Sequence, residues 1–149
     1  DIYSVVQFKC RAVGVVPLDD DGYVWLVKQF RYPFTQYSIE IPEGGSLLGD
    51  DMLEAAKREL REETGITANC WTHLLDLHTS NSVTDESGAV YLAQGLTQGE
   101  MALEATEDIE VLRVSLTEAI DWIFTGKITD SLSVMGLLVA ERRINRGIT

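Results

Sequence analysis

Gly44-Gly45-Ser46-Leu47-Leu48-Gly49-Asp50-Asp51-Met52-Leu53-Glu54-Ala55-Ala56-Lys57-Arg58-Glu59-Leu60-Arg61-Glu62-Glu63-Thr64-Gly65-Ile66 decides the reading of this chain. Its centre predicts a helix over 50–64. Asp50 or Asp51 caps the start, and Glu54 stands three residues after Asp51, as a capping box requires. Leu53, Ala56 and Leu60 recur at helical spacing. Gly65 follows the last periodic residue, where a left-handed C-terminal cap belongs. Glu59, Glu62 and Glu63 then fall three and four residues apart, on one side of the helix. Like charges so spaced oppose the helix by about 0.2–0.5 kcal/mol per pair. They also lie near its C-terminus, the unfavourable end of the helix dipole for anions. Arg58 and Arg61 supply part of the compensating charge. A hard divalent cation would supply the rest, because Mg²⁺ and Mn²⁺ prefer carboxylate oxygens. A solvated face of Arg–Glu pairs is the plainer alternative.

Upstream, Pro42-Glu43-Gly44-Gly45-Ser46 and Gly49 read as a glycine loop whose backbone approaches closely before the helix. Strands are expected at 12–16 and 23–30, joined as a hairpin through Asp19-Asp20-Asp21-Gly22. Residues 38–41 read as a further short strand stopped by Pro42. Strands are also expected at 71–77, 89–94 and 110–114. Ser115 opens a second helix reaching about Phe124, and Asp130 caps a third over 131–145 with Leu132, Met135 and Val139 on one face. Interleaved strands and helices make the class α/β or α+β in layers.

The 149 residues fit one domain, spanning 1–149. Twelve basic against 24 acidic residues leave a net charge of −12, which repels nucleic-acid phosphate and anionic lipid. No apolar run is long enough to span a bilayer. No signal peptide is visible, and the lack of an initiator Met implies a trimmed N-terminus. Cys10 and Cys70 are expected as buried free thiols in a reducing cytoplasm. His73 and His78 lack metal-ligand spacing and read as structural. Trp71, Trp122 and Phe124 read as core.

The stretch from Gly44 to Ile66 resembles the signature of the Nudix hydrolases: Gly, five residues, Glu, seven residues, then Arg-Glu-apolar-any-Glu-Glu-any-Gly-apolar. Asp50 stands at the first Glu, keeping the charge on a shorter arm. Gln29-Phe30-Arg31, Glu40-Ile41-Pro42-Glu43-Gly44, the segment 107–111 and the segment 126–131 resemble the ADP-ribose pyrophosphatase-like branch, which cleaves nucleoside diphosphate sugars. That branch often has Ala where Glu43 stands. It usually has Ser-Pro-Gly-aromatic-Ser/Thr-Asp-Glu where this chain has Ser80-Asn81-Ser82-Val83-Thr84-Asp85-Glu86. The proline is associated with ADP-ribose specificity, and Asn81 replaces it.

The resemblance implies the Nudix fold, an α/β/α sandwich around a mixed β-sheet, with Mg²⁺ or Mn²⁺ as cofactor. Glu59 and Glu63 are the first metal ligands, Glu62 is close behind, and the resemblance adds the backbone carbonyl of Glu43. Arg58 orients the glutamates. A late-loop Glu is the general base, Glu107 by its context or Glu104 as the alternative. Arg31 is a phosphate clamp, since its guanidinium fork matches phosphate oxygens. Glu40 accepts hydrogen bonds from the base or ribose, or is a strand-end surface charge. Asp85 and Glu86 are solvated loop acids or additions to the site. The substrate is a nucleoside diphosphate derivative, with no nucleic-acid or membrane partner, and the chain is a homodimer. A nucleotide-binding module without turnover and a nucleoside triphosphate-sanitising enzyme are the competing readings.

Overall fold

The computed structural model describes residues 4–100 and 108–147. Its strands divide between two sheets rather than one. In the first, β1 (Cys10–Pro17) lies parallel to β6 (Ser87–Thr97) and antiparallel to β4 (Glu43–Leu47). β5 (Thr67–His78) completes it along the far edge of β6, giving the order β4-β1-β6-β5. In the second, β2 (Tyr23–Arg31) lies between β3 (Gln36–Glu40) and β7 (Ile109–Ser115), all antiparallel.

Two sequence expectations change here. The Asp19–Gly22 turn forms, with Asp19 Oδ1 accepting from the amides of Asp21 and Tyr23 at 3.0 and 3.1 Å. It does not close a hairpin: β1 and β2 meet at a single bridge, Leu18–Val24, and then enter different sheets. Both edges of β1 are already paired, one with β4 and one with β6, so no edge is left for β2. The presumed glycine loop is strand β4 for most of its length. Gly44 pairs opposite Val13 and Gly45 opposite Ala12.

Helix α1 (Met52–Thr64) is capped as its sequence requires. Asp51 Oδ1 accepts from the Leu53 amide at 2.9 Å, and Gly65 at φ 75° closes the other end. It covers one face of the first sheet through Ala55, Ala56 and Leu60, which pack with Val13, Val15 and Ala93. Helices α2 (Leu116–Phe124) and α3 (Ser131–Asn145) cover the opposite side. There Val16, Val90 and Leu92 join Leu26, Ile41, Ile120, Leu132 and Leu137 in the larger core. Alternation along β1 thus sends Val13 and Val15 to one layer and Val16 to the other, the strand signature of a three-layer α/β/α sandwich. The deeply buried face of α3 runs through Leu132, Gly136, Leu137 and Ala140, with Met135 packed at its margin.

Three core assignments need correction. Phe124 is 80% exposed because it ends α2 on the solvent side, whereas Trp122 packs on the larger core. Cys70 is exposed on β5, an edge strand, and Cys10 is half-buried; both are free thiols. His73 is exposed and pairs with Asp76 at 2.8 Å, and His78 is exposed too.

Candidate active site

The second half of α1 lies against β4, and that packing builds the acidic centre. Gly44 faces Glu59 so closely that a β-carbon there would overlap the Glu59 carboxylate. The glycine is needed for space rather than for an unusual backbone angle. Glu63, one helical turn on, is 9% exposed, and its Oε2 is buried without a hydrogen-bond partner. The Glu43 amide donates to the Glu63 carboxylate. Burial first, and the negative charge of Glu59 second, push the Glu63 carboxyl up to about 8. Glu62 points elsewhere: its side chain is 44% exposed and lies 3.9 Å from Arg58 Nε. The three acids that share one side in sequence therefore split into an inward pair and an outward member.

Arg58 holds this arrangement from outside. Its Nη2 donates to the Gly45 carbonyl at 2.8 Å and lies 3.3 Å from Glu59 Oε1. It thereby ties the helix to β4 at the point where Glu59 passes Gly44.

A second group lies on the other side of Glu43. Arg31, at the end of β2, donates from Nε to Glu40 Oε2 at 2.9 Å and from Nη2 to Glu40 Oε1 at 2.5 Å. Glu40 is 2% exposed, which rules out a surface charge. The fork that was expected to clamp phosphate thus has two of its donors on Glu40, and a third contact reaches Glu43 Oε1 at 3.5 Å. The Glu40 hydrogen bond raises the Arg31 pKa further, despite partial burial.

Asp130 completes the group, with carboxylate oxygens of Glu40, Glu43 and Asp130 all within 4.8 Å of one another. Its Oδ2 accepts from both the amide and the hydroxyl of Ser133, and the Ser133 hydroxyl in turn accepts from the Ile41 amide at 2.9 Å. Burial, then a hydrogen bond and like charge from Asp130, then the Glu40 charge, raise the Glu43 carboxyl well above its ordinary value. Glu43 Oε2 is a second buried oxygen with no partner.

These residues border two adjoining clefts. One, of about 380 Å³, lies between Arg31, Glu43, Gly44 and Asp130 and the pair Thr79 and Glu86. The other, of about 550 Å³, opens past Arg31, Glu40 and Asp130 toward Pro33 and Phe34. Sequence reading missed Thr79 and saw Asp130 only as a helix cap; Asp130 caps α3 and faces both clefts. Its position inside the 126–131 segment was the available signal. Glu86 lines the cleft, whereas Asp85 is exposed. Glu104 and Glu107 lie outside the described residues.

The donor set suits a hard divalent cation. Glu59 and Glu63 stand one helical turn apart, close enough for the Glu59 charge to act on Glu63, and Glu63 Oε2 is buried with no protein donor to satisfy it. The NUDIX domain model matches residues 9–132, and the chain belongs to the Nudix family. Members of that family generally need a divalent metal.

The chain is 37% identical over 122 residues to an ADP-ribose pyrophosphatase of Bacillus subtilis, covering 80% of this chain and 66% of the relative. It is 35% identical over 133 residues to an ADP-ribose pyrophosphatase of Mycobacterium tuberculosis, covering 87% and 64%. The chain thus spans just under two thirds of the length of these two relatives. A methanol dehydrogenase activator of Bacillus methanolicus is 33% identical, with 85% and 69% covered. The crystal structure of an ADP compounds hydrolase superposes with a TM-score of 0.83 at 24% identity, over 96% of this chain and 77% of that one, a likeness of fold.

Proposed function

We propose that this chain hydrolyses the pyrophosphate bond of a nucleoside diphosphate joined to a sugar or similar group, ADP-ribose among them. The products are a nucleoside monophosphate and a phosphorylated partner. Water attacks one phosphorus, the bridging P–O bond breaks, and the water's protons are shared between the departing phosphate and a base. The observation that carries this reading is the inward Glu59–Glu63 pair, with Glu59 half-buried against Gly44 and an unpartnered oxygen on buried Glu63. Such a pair is costly to a fold unless a cation or proton compensates it.

Glu59 and Glu63 are the proposed ligands of Mg²⁺ or Mn²⁺, with the Glu43 carbonyl beside them; Glu62, turned outward beside Arg58, does not join the set. When bound, the metal neutralises phosphate oxygens and lowers the pKa of water. Arg58 keeps Glu59 in place. Arg31 and Glu40 orient the substrate as a unit, since their side chains are already locked together. The general base is Glu107 or Glu104.

The names of the Bacillus subtilis and Mycobacterium tuberculosis relatives support this substrate class. The net charge of −12 supports a small-molecule partner over nucleic acid or membrane, and the two free thiols, Cys10 and Cys70, support a cytoplasmic site of action. Among the described residues no helix is long and apolar enough to cross a membrane.

A homodimer is part of the proposal. The hairpin of β2 and β3 exposes Phe30, Tyr32, Phe34 and Tyr37, with Tyr32 85% and Phe34 76% accessible, beside the free edge of β3. Aromatic clusters of this kind mark contact surfaces. Light scattering should give twice the chain mass, and Tyr32→Ser with Phe34→Ser should halve it.

The test is a panel of ADP-ribose, other nucleoside diphosphate sugars, dinucleoside polyphosphates and nucleoside triphosphates with Mg²⁺ or Mn²⁺, read by product identity. Nucleoside monophosphate plus sugar phosphate supports the proposal. Inorganic pyrophosphate from triphosphates overturns it in favour of a sanitising enzyme. Binding without turnover of any compound makes the chain a ligand-binding module.

A further inference from the structure

Thr79 and Glu86, the two ends of a short surface loop, line the 380 Å³ cleft together with Arg31 and Asp130. The loop ties itself together weakly. The Thr79 amide donates to the Glu86 carbonyl at 3.3 Å, and the Val83 and Thr84 amides donate to the Ser80 carbonyl at 3.3 and 3.0 Å. Its firmest anchors come from elsewhere in the chain. Val6 donates from its amide to the Val83 carbonyl at 2.7 Å and accepts from the Asp85 amide at 3.2 Å. Two residues on, the Phe8 amide donates to Asp85 Oδ1 at 2.8 Å, a charge-assisted bond spanning 77 residues of sequence. Lys9 then passes the strap into the first sheet, its carbonyl accepting from the Leu48 amide at 3.2 Å just before β1 begins.

The geometry points to Asp85 as a positioning residue: through its bond to the Phe8 amide, and with the Val6 bridge, it fixes the loop whose neighbouring Glu86 forms one wall of the substrate cleft. Asp85 is exposed and does not line that cleft. Its carboxylate is instead spent on the strap. The adjacent Glu86, held at the start of β6, takes its place from the loop that Asp85 anchors. This inference rests on the hydrolase reading for its kinetic consequence, but its structural content does not.

The test uses two variants that reach the loop from opposite sides, with Asp85→Asn as the conservative control. Asp85→Ala removes the acceptor for Phe8. Val6→Pro removes the Val6 N–H while keeping every side chain of the loop and the cleft. With ADP-ribose and Mg²⁺, both should raise KM about tenfold and change kcat by less than about twofold. Asp85→Asn, which keeps a carbonyl oxygen in place, should restore most of the wild-type KM. Amide exchange on the metal-free protein gives an activity-independent reading. Both variants should speed exchange at Thr79, whose amide neither residue touches, and Asp85→Asn should leave it protected.

Unchanged KM in both variants overturns the inference, and so does loss of protection confined to Phe8 and Val6. A fall in kcat that Asp85→Asn does not rescue also overturns it, because Asp85 would then act by its charge. If the wild type turns over no nucleoside diphosphate derivative, the hydrolase reading fails by itself. Thr79 exchange then decides the positioning role alone.

Discussion

The Glu59 carboxylate occupies the space that a β-carbon on Gly44 would need, so the first residue of the family signature and its second glutamate form one steric unit. The sixteen residues from Gly44 to Glu59 thus close on themselves in space: β4 brings Gly44 beneath α1, and the helix brings Glu59 over it. Gly44→Ala should therefore displace Glu59 rather than unfold β4. Displacing a reacting-site group by about 1 Å costs on the order of a hundredfold in rate. Kinetics on a well-folded variant, checked by circular dichroism, should show that loss. Near wild-type turnover would mean Glu59 is not needed where it stands.

Arg31 and Glu40 make a different prediction. Glu40 is 2% exposed and depends on Arg31 for both of its oxygens, while the Arg31 side chain is 40% exposed. Arg31→Ala leaves a buried carboxylate uncompensated. The cost should be about 2–3 kcal/mol, at the low end for a broken buried pair because water reaches the arginine side. Adding Glu40→Gln should recover part of it. Denaturant unfolding of the single and double variants measures both, and an Arg31→Ala protein as stable as wild type would refute the dependence.

What the sequence made legible follows the range of the interactions. Helix α1 could be drawn to within two residues, because Asp51, Leu60 and Gly65 each act locally. The same holds for α2 and α3, whose caps Ser115 and Asp130 bond amides three residues on. The inward turn of Glu59 and Glu63 against Glu62 could not be read, since it depends on β4 approaching one flank of the helix. The two-sheet division was hidden for a related reason. A local Asp-Gly turn favours a hairpin, yet β4 and β6 from distant sequence take both edges of β1. Asp130 was read as a cap because capping is local, while its approach to Glu40 and Glu43 spans most of the chain.

Glu63→Gln replaces the titratable inner member of the inward pair with a neutral amide. In the metal-free protein at neutral pH it should raise stability, because the wild-type fold must keep a proton on Glu63 that the unfolded chain releases, a cost the amide does not carry. Turnover should fall roughly a hundredfold or more, because an amide is a poor ligand for a hard cation. Thermal unfolding and initial rates at saturating Mg²⁺ test the two halves together. A variant that is both less stable and fully active would contradict the assignment on each count.

The raised pKa of Glu63 carries a sign that can be worked through. Its folded value of about 8 lies above the ordinary Glu value, so the folded state keeps a proton that the unfolded chain releases. The associated stability is complete at pH below the ordinary Glu pKa. It declines as pH rises toward 8, by at most about 1.4 kcal/mol per pH unit, with neighbouring acids sharing the effect. Without metal, wild-type stability should therefore fall across pH 5–8 more steeply than that of Glu63→Gln. A divalent cation binds the ionised carboxylate, so Mg²⁺ or Mn²⁺ must displace the proton. Calorimetric titration at pH 7 in buffers of different ionisation enthalpy should register close to one proton released per metal bound. Apparent affinity should strengthen up to about tenfold per pH unit until pH approaches 8. Metal binding that releases no proton at pH 7, or that is as tight at pH 6 as at pH 8, would place the cation away from Glu63.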